Sequence, residues 1–219
     1  MQKGFHRILP KNINIFVIIS LFFPTRKAKL HYFICGISQA YCVILDGRPG
    51  FGYHYIKGSD AMDEQFMDEA IILAKEAAAE GEVPVGCVIV REGVVVGRGR
   101  NRREKGKSAL AHAEIEAINE ACKTLGGWRL WECTLYVTLE PCPMCAGAIV
   151  NARIPRVVYG ASDEKCGAVG SVCNLFSMEF NHHPTVEKGI REEECAGLLK
   201  EFFQNLRIEL RSRPKWKKP

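Results

Sequence analysis

His112-Ala113-Glu114 and, further along the chain, Cys142-Pro143-Met144-Cys145 are the residue types that could carry chemistry here. Two cysteines three apart have three ordinary uses: a pair of metal ligands, a redox couple, or small apolar residues packed in a helix. Proline fits the first position of a helix because its missing N–H costs nothing there, so Pro143 places Cys142 and Cys145 around a helix start. The positive end of the helix dipole favours thiolates, the form that binds metal. His112 can add a neutral imidazole. Two sulfurs and one nitrogen suit Zn2+, and three protein ligands leave a fourth position for water, which is the pattern of a catalytic rather than a structural site. Glu114, two residues beyond a ligand, can face that water without reaching the metal and move protons for it. A redox CxxC has no use for a distant His-x-Glu and usually sits in a thioredoxin-like βαβ unit. A structural zinc would want a fourth ligand; His182, His183, Cys166 and Cys173 are candidates, none at a recognised finger spacing.

The elements that must position these residues read clearly from Met62 onward. MDEQFMDEAIILAKEAAAEG has helical spacing and closes on Gly81. VGCVIV, the turn Arg91-Glu92-Gly93 and VVVG form a hairpin whose continuous apolar runs predict strands buried on both faces. A helix over AHAEIEAINEACKTL, a strand (CTLYVTLE), a helix (PMCAGAIVNA), a strand (RVVYGA) and a long last helix (REEECAGLLKEFFQNLRIEL) follow. This order predicts a three-layer α/β/α sandwich on a mixed five-stranded sheet, with Cys133–Glu140 and Arg156–Ala161 as parallel neighbours. Sites in such sheets gather beyond the carboxyl ends of the strands, where Glu140-Pro141-Cys142 lies.

Composition bounds the rest. Residues 1–61 hold eight Lys/Arg against Asp46 and Asp60, and residues 207–219 hold six against Glu209, leaving an acidic body over 62–206. A basic tail on an acidic body can bring phosphate to one edge of a protein; the plain alternative is a solvated terminus. The ten cysteines are scattered among apolar residues rather than spaced as a disulfide framework, which points to a reducing compartment. Residues 1–61 show little helical or strand period and carry one apolar run, INIFVIISLFF. A bilayer needs about 20 apolar residues, so that run does not predict a membrane span. We expect residues 1–61 to be a poorly ordered, dispensable extension or a misassigned start, 62–206 the working domain, and 207–219 a basic tail.

HAE followed by PCxxC resembles the zinc nucleobase deaminases, a signature given for that family. From about Asp63 to Arg207 the chain is similar to the bacterial-type tRNA adenosine deaminases. EVPVG, GRGRN, AHAEIEAI, TLYVTLEPCPMCAGAIVNARIPRVVYGASDEKCGAVGS and ECAGLLKEFFQNLR carry the likeness. The core motif alone fits cytidine, deoxycytidylate, guanine and riboflavin-pathway deaminases; DEKCGAVGS and the FF-containing last helix tip the choice towards tRNA. The resemblance implies a cytidine deaminase-like fold, one Zn2+ per chain on His112, Cys142 and Cys145, and Glu114 as proton shuttle. It also implies hydrolytic conversion of adenosine to inosine at the wobble position of a tRNA anticodon loop, by a cytoplasmic homodimer. Asn101 matches the asparagine that holds the target nucleoside, Asp163 a position near the RNA backbone, and His182 a substrate-side histidine. Asn101 read alone is a turn residue after a strand, and Asp163 a cap of the turn that follows it.

A separate argument favours a polynucleotide. Arg98, Arg100, Arg102, Arg103, Lys105 and Lys107 crowd the approach to His112 within an otherwise acidic body. An RNA loop brings several phosphates to a pocket rim, whereas a free-base enzyme gains little from such charge; the alternative is a solubilising loop. The competing functions are a deaminase of free guanine or deoxycytidylate and a non-catalytic zinc-containing RNA-binding protein. Glu114 has no use in the latter.

Overall fold

The computed structural model describes residues 15–21, 28–35, 39–46 and 54–212, with side chains from 61 to 212. The backbone divides into two units between Met62 and Asp63. In the first, β1 (Ile15–Leu21), β2 (Ala28–Cys35), β3 (Gln39–Asp46) and β4 (His54–Lys57) form an antiparallel sheet in sequential order. These strands stand where the sequence shows little strand period. A run such as IFVIISL is apolar at nearly every position, and an unbroken run does not reveal a strand by alternation.

In the second unit, α1 (Gly58–Ala79) enters across the boundary and is followed by β5 (Gly86–Arg91) and β6 (Val94–Arg100). Glu92 and Gly93 join these two strands with φ of 51° and 76°, the left-handed pair that a two-residue hairpin turn requires. A short helix α2 (Arg103–Gly106) leads to α3 (Ala113–Leu125), β7 (Cys133–Leu139), α4 (Pro143–Ala152) and β8 (Arg156–Ala161). A 3₁₀ turn at Leu175–Ser177 precedes β9 (Thr185–Lys188) and α5 (Glu192–Ser212). The sheet order is β6-β5-β7-β8-β9. β5 is antiparallel to β6 and β7, while β7 runs parallel to β8, with Thr134 opposite Arg156 and Leu139 opposite Ala161. The predicted mixed five-stranded sheet and its parallel pair are present. β9, short and mostly exposed, has no apolar pattern that the sequence could announce.

Alternate strand residues face opposite layers. Cys87, Ile89, Leu135, Val137, Val157 and Tyr159 pack with α3 and α4. Val88, Val90, Tyr136 and Val158 pack with α1 and α5. Strand β5 is buried along both faces, as expected, but β6 is not: it is the sheet edge and leaves Val94 63% exposed. Its glycines let a helix approach it closely. A Cβ on Gly97 would stand 2.8 Å from the Ala121 nitrogen, and one on Gly99 2.5 Å from the Ala117 nitrogen, so α3 rests its backbone directly on β6. On the other face, buried Asp63 bonds Tyr136 Oη at 2.6 Å and Arg156 Nη2 at 2.6 Å, tying α1 to β7 and β8.

Candidate active site

Two helix beginnings meet beyond the carboxyl end of β7. His112 is the N-cap of α3 and Cys142 the N-cap of α4, both in extended conformation, with Pro143 opening α4. The His112 side chain makes no capping bond to its own helix and is free for another partner, while the Cys142 sulfur meets Cys145 in the first turn of α4. His112 Nδ1 lies 3.7 Å from Cys142 Sγ and 3.5 Å from Cys145 Sγ. The three donor atoms lie within 4.8 Å of one another, and no other such set of three occurs among the described residues. Zinc bonds of about 2.3 Å to sulfur and about 2.0 Å to nitrogen, at a tetrahedral angle, would hold sulfur and nitrogen about 3.5 Å apart. Both nitrogen–sulfur spacings match that figure. Cys166, Cys173, His182 and His183 do not join the set.

The electrostatics are those of a site that wants a cation. A hydrogen bond from the Cys145 thiol, with His112 and the Cys145 amide adding, brings Cys142 down to about 4. Cys145, sharing that proton and largely buried, is pushed far up. The His112 imidazole is raised, chiefly by its bond to Cys142. The lowered Cys142 thiol favours the thiolate, the form that binds metal.

Glu114 points into the same space from the first turn of α3. It is 4% exposed, and burial pushes its carboxyl up to about 7, with the Cys142 thiolate adding. Its own backbone amide, His112 and the Cys145 thiol oppose the rise. It is not one of the three clustered donors. A carboxyl that titrates near neutrality is suited to taking and returning a proton. A cavity of about 720 Å³ opens over these groups, lined by Asn101, Arg103, His112, Glu114, Cys142 and Asp163, with Leu199 and Phe203 from α5. That is the size range of small-molecule and nucleoside pockets.

The other sequence-predicted residues divide. Asn101 is buried on the cavity wall. Asp163 also lines the cavity, and its Oδ1 accepts from the Lys165 and Cys166 amides at 2.9 and 3.1 Å, so it caps its own turn. His182 is not in the cavity; its Nε2 is 2.8 Å from the Ile154 carbonyl oxygen. Among the basic residues, Arg98 pairs with Glu69 at 3.1 Å, Arg100 with Glu76 at 3.0 Å and Glu80 at 2.7 Å, and Lys105 with Glu80 at 3.3 Å. Strand alternation sends these arginines to α1, opposite the glycines that seat α3. Arg102, Arg103 and Lys107 are exposed and make no ion pair with a described residue. Arg207 and Arg211 of the basic tail lie on α5, and its remainder, 213–219, falls outside the described residues.

Two buried acids have roles that the sequence reading does not assign. Glu82 accepts from the amides of Glu104 and Lys105 and from Asn101 Nδ2. Glu140 accepts from the amides of Asp163, Val169 and Ser171 at 3.0, 3.2 and 3.0 Å and from the Ser171 hydroxyl, shaping the loop that follows β8. The available signal was a lone acid in an apolar run, in EVPVG and in TLEPC.

Comparison with known proteins agrees with this geometry. The MafB19-like deaminase family matches residues 61–207. The tRNA-specific adenosine deaminase of Bacillus subtilis is 53% identical over 146 residues, spanning 66% of this chain and 91% of that protein. A solved structure from a study of A-to-I editing by tRNA:A34 deaminases at the wobble position superposes with a TM-score of 0.60 at 48% identity, covering 62% of this chain and 99% of that one. The guanine deaminase of Nitrosomonas europaea, at 23% identity and a TM-score of 0.53 over 64% of this chain and 83% of that one, shares the fold. The second unit's layers, its clustered donors and the family match over 61–207 agree: the chain belongs to the MafB19-like deaminase family.

Proposed function

We propose that this protein hydrolytically deaminates adenosine to inosine at the first anticodon position of a tRNA. The observation that carries the chemistry is Glu114, buried against a closed set of one imidazole and two thiols. The observation that carries the substrate is 53% identity to a tRNA-specific adenosine deaminase over 91% of that protein's length, against 23% to a guanine deaminase.

Zinc held by His112, Cys142 and Cys145 would supply a water acidic enough to act as nucleophile at neutral pH. Glu114 would take a proton from that water and pass it to ring N1 as oxygen adds at C6, then carry the proton of the new C6 hydroxyl to the departing amine, so that ammonia leaves and inosine remains. Asn101 holds the nucleoside on the cavity wall. An adenine stacked in a helix hides its C6, so the substrate is a base splayed out of the anticodon loop. Arg103, which lines the cavity, and the exposed Arg102 and Lys107 near it in the chain meet loop phosphates, and Asp163 lies near the RNA backbone. The working form is a cytoplasmic homodimer, the arrangement the family resemblance implies.

The deciding experiment incubates the full-length zinc-loaded protein with tRNA carrying adenosine at that position and scores inosine by A-to-G readout, with Glu114→Gln as control. Product from wild type and none from Glu114→Gln is expected. Turnover of free guanine or deoxycytidylate with none on tRNA would replace this reading with a free-base deaminase.

A further inference from the structure

Glu82 is a buried carboxylate for which the proposed chemistry has no use. It is 1% exposed, between α1 and β5, and makes no ion pair with a described residue. Its Oε2 lies 3.3 Å from Asn101 Nδ2 and 3.2 Å from the Glu104 amide, and its Oε1 2.8 Å from the Lys105 amide. A carboxylate offers acceptors only, so the Asn101 side chain must turn its nitrogen towards Glu82 and its oxygen away. The Asn101 main chain is held by the same segment, its N–H donating to the Val85 carbonyl oxygen at 3.0 Å. The two amides that Glu82 receives belong to the first turn of α2, where the N-cap Arg102 gives no side-chain bond of its own. A single acid therefore fixes both the orientation of Asn101 and the turn that carries Arg103 to the cavity rim.

We infer that Glu82 is a positioning residue for substrate recognition, acting through the Asn101 amide and the α2 turn. The inference rests on the reading of Asn101 as the nucleoside contact. It assigns to the glutamate of EVPVG a role in specificity rather than in packing. Gln at this position would confront three N–H donors with one oxygen and one NH2, leaving the Asn101 amide without a defined orientation. Glu82 has no direct access to the zinc ligands, so its loss should leave the metal in place.

The test is a double-mutant cycle on the full-length holoenzyme: wild type, Glu82→Gln, Asn101→Ala and the double variant, each assayed for kcat/KM on tRNA and for zinc content. Glu82→Gln should lower kcat/KM about ten- to a hundredfold with zinc retained. The double variant should lose less than the product of the two single losses, because the Asn101 part of the Glu82 effect is already gone and only the α2 part remains. Independent, additive losses would overturn the inference, as would an unchanged kcat/KM or a loss that tracks lost zinc. If Glu82→Gln does not fold, Glu82→Asp, which keeps the acceptors but withdraws them by one methylene, goes through the same cycle with the same outcomes. A wild-type protein inactive on tRNA would instead refute the substrate reading, a result visible before any variant is compared.

Discussion

The carbonyl oxygen of Ala113 occupies the space in which a side chain on Gly99 would lie. Ala113 stands between His112 and Glu114, so the absence of a methyl group on β6 sets the height of the helix that carries both. The obstacle to Gly99→Ala is backbone on two sides, Ala113 oxygen and the Ala117 nitrogen, neither of which can swing aside. Gly99→Ala should therefore cost about 1–3 kcal/mol, as overpacked sites do, and weaken zinc retention at the same time. Gly147 in α4 offers the contrast, because a Cβ there meets nothing within 4 Å. Gly147→Ala should stabilise by about 0.5–1 kcal/mol through helix propensity. Thermal denaturation with metal analysis checks the pair, and a Gly99→Ala protein with wild-type Tm and zinc would contradict the packing described.

Removing the metal should separate chemistry from fold. His112→Ala deletes the only nitrogen donor of the cluster and leaves two sulfurs. Zinc content should drop below one ion per chain and activity should vanish, while circular dichroism stays that of an α/β protein because the core is built without the site. Glu114→Gln should behave differently, inactive yet fully zinc-loaded. A zinc-free Glu114→Gln protein would place the carboxylate among the ligands after all.

How much of this was legible in the chain follows from what each residue depends on. Pro143 between two cysteines one turn apart announces a helix start, and α4 begins there. The apolar run in β5 announces a central strand, because burial on both faces leaves no polar positions. GRGRN was half legible. Its arginines look like a phosphate surface by charge, yet the period of two in β6 turns Arg98 and Arg100 towards α1 and its glutamates, and that orientation depends on which neighbour covers which face. Glu82 and Glu140 were silent because their partners are backbone amides distant in sequence, which no spacing rule can pair.

This division of the basic residues makes a salt experiment informative. Arg102, Arg103 and Lys107 have no acidic partner among the described residues, so each that meets a phosphate should add about 0.7 to the slope of log(kcat/KM) against log salt. Neutralising them one at a time should flatten the slope. Arg98→Gln and Arg100→Gln should instead lower Tm and leave the slope nearly unchanged, since their charges are already spent on Glu69, Glu76 and Glu80. Equal slope changes for both groups would show that the ion pairs open when RNA arrives.

The same ion pairs predict a pH effect of defined sign. Hydrogen bonds from Arg100, and then from Lys105, hold the Glu80 carboxyl below its usual range. A carboxyl with a depressed folded-state pKa contributes stability above its unfolded value of about 4.3 and loses it as pH falls through the folded value. Wild type should therefore exceed Glu80→Gln in Tm at neutral pH, and the two curves should converge in acid. A constant gap across that range would mean that the difference comes from packing rather than charge.

The segment before the deaminase unit should prove dispensable. The family match begins at residue 61, and the unit itself at Asp63. A protein of residues 62–219 loses the opening residues of α1, which starts at Gly58, but keeps Phe66, Met67, Ala70 and Ile71, the residues through which that helix packs on the sheet. It also keeps Asp63, whose carboxylate binds Tyr136 and Arg156. Because these packing residues and the polar anchor survive, stability should change by no more than about 1 kcal/mol, the scale of fraying at a helix end. Zinc binding and tRNA deamination should match the full chain. Insolubility or loss of activity in the shortened protein would mean that residues 1–61 complete the fold or the RNA site, and are not the dispensable extension that their composition leads us to expect.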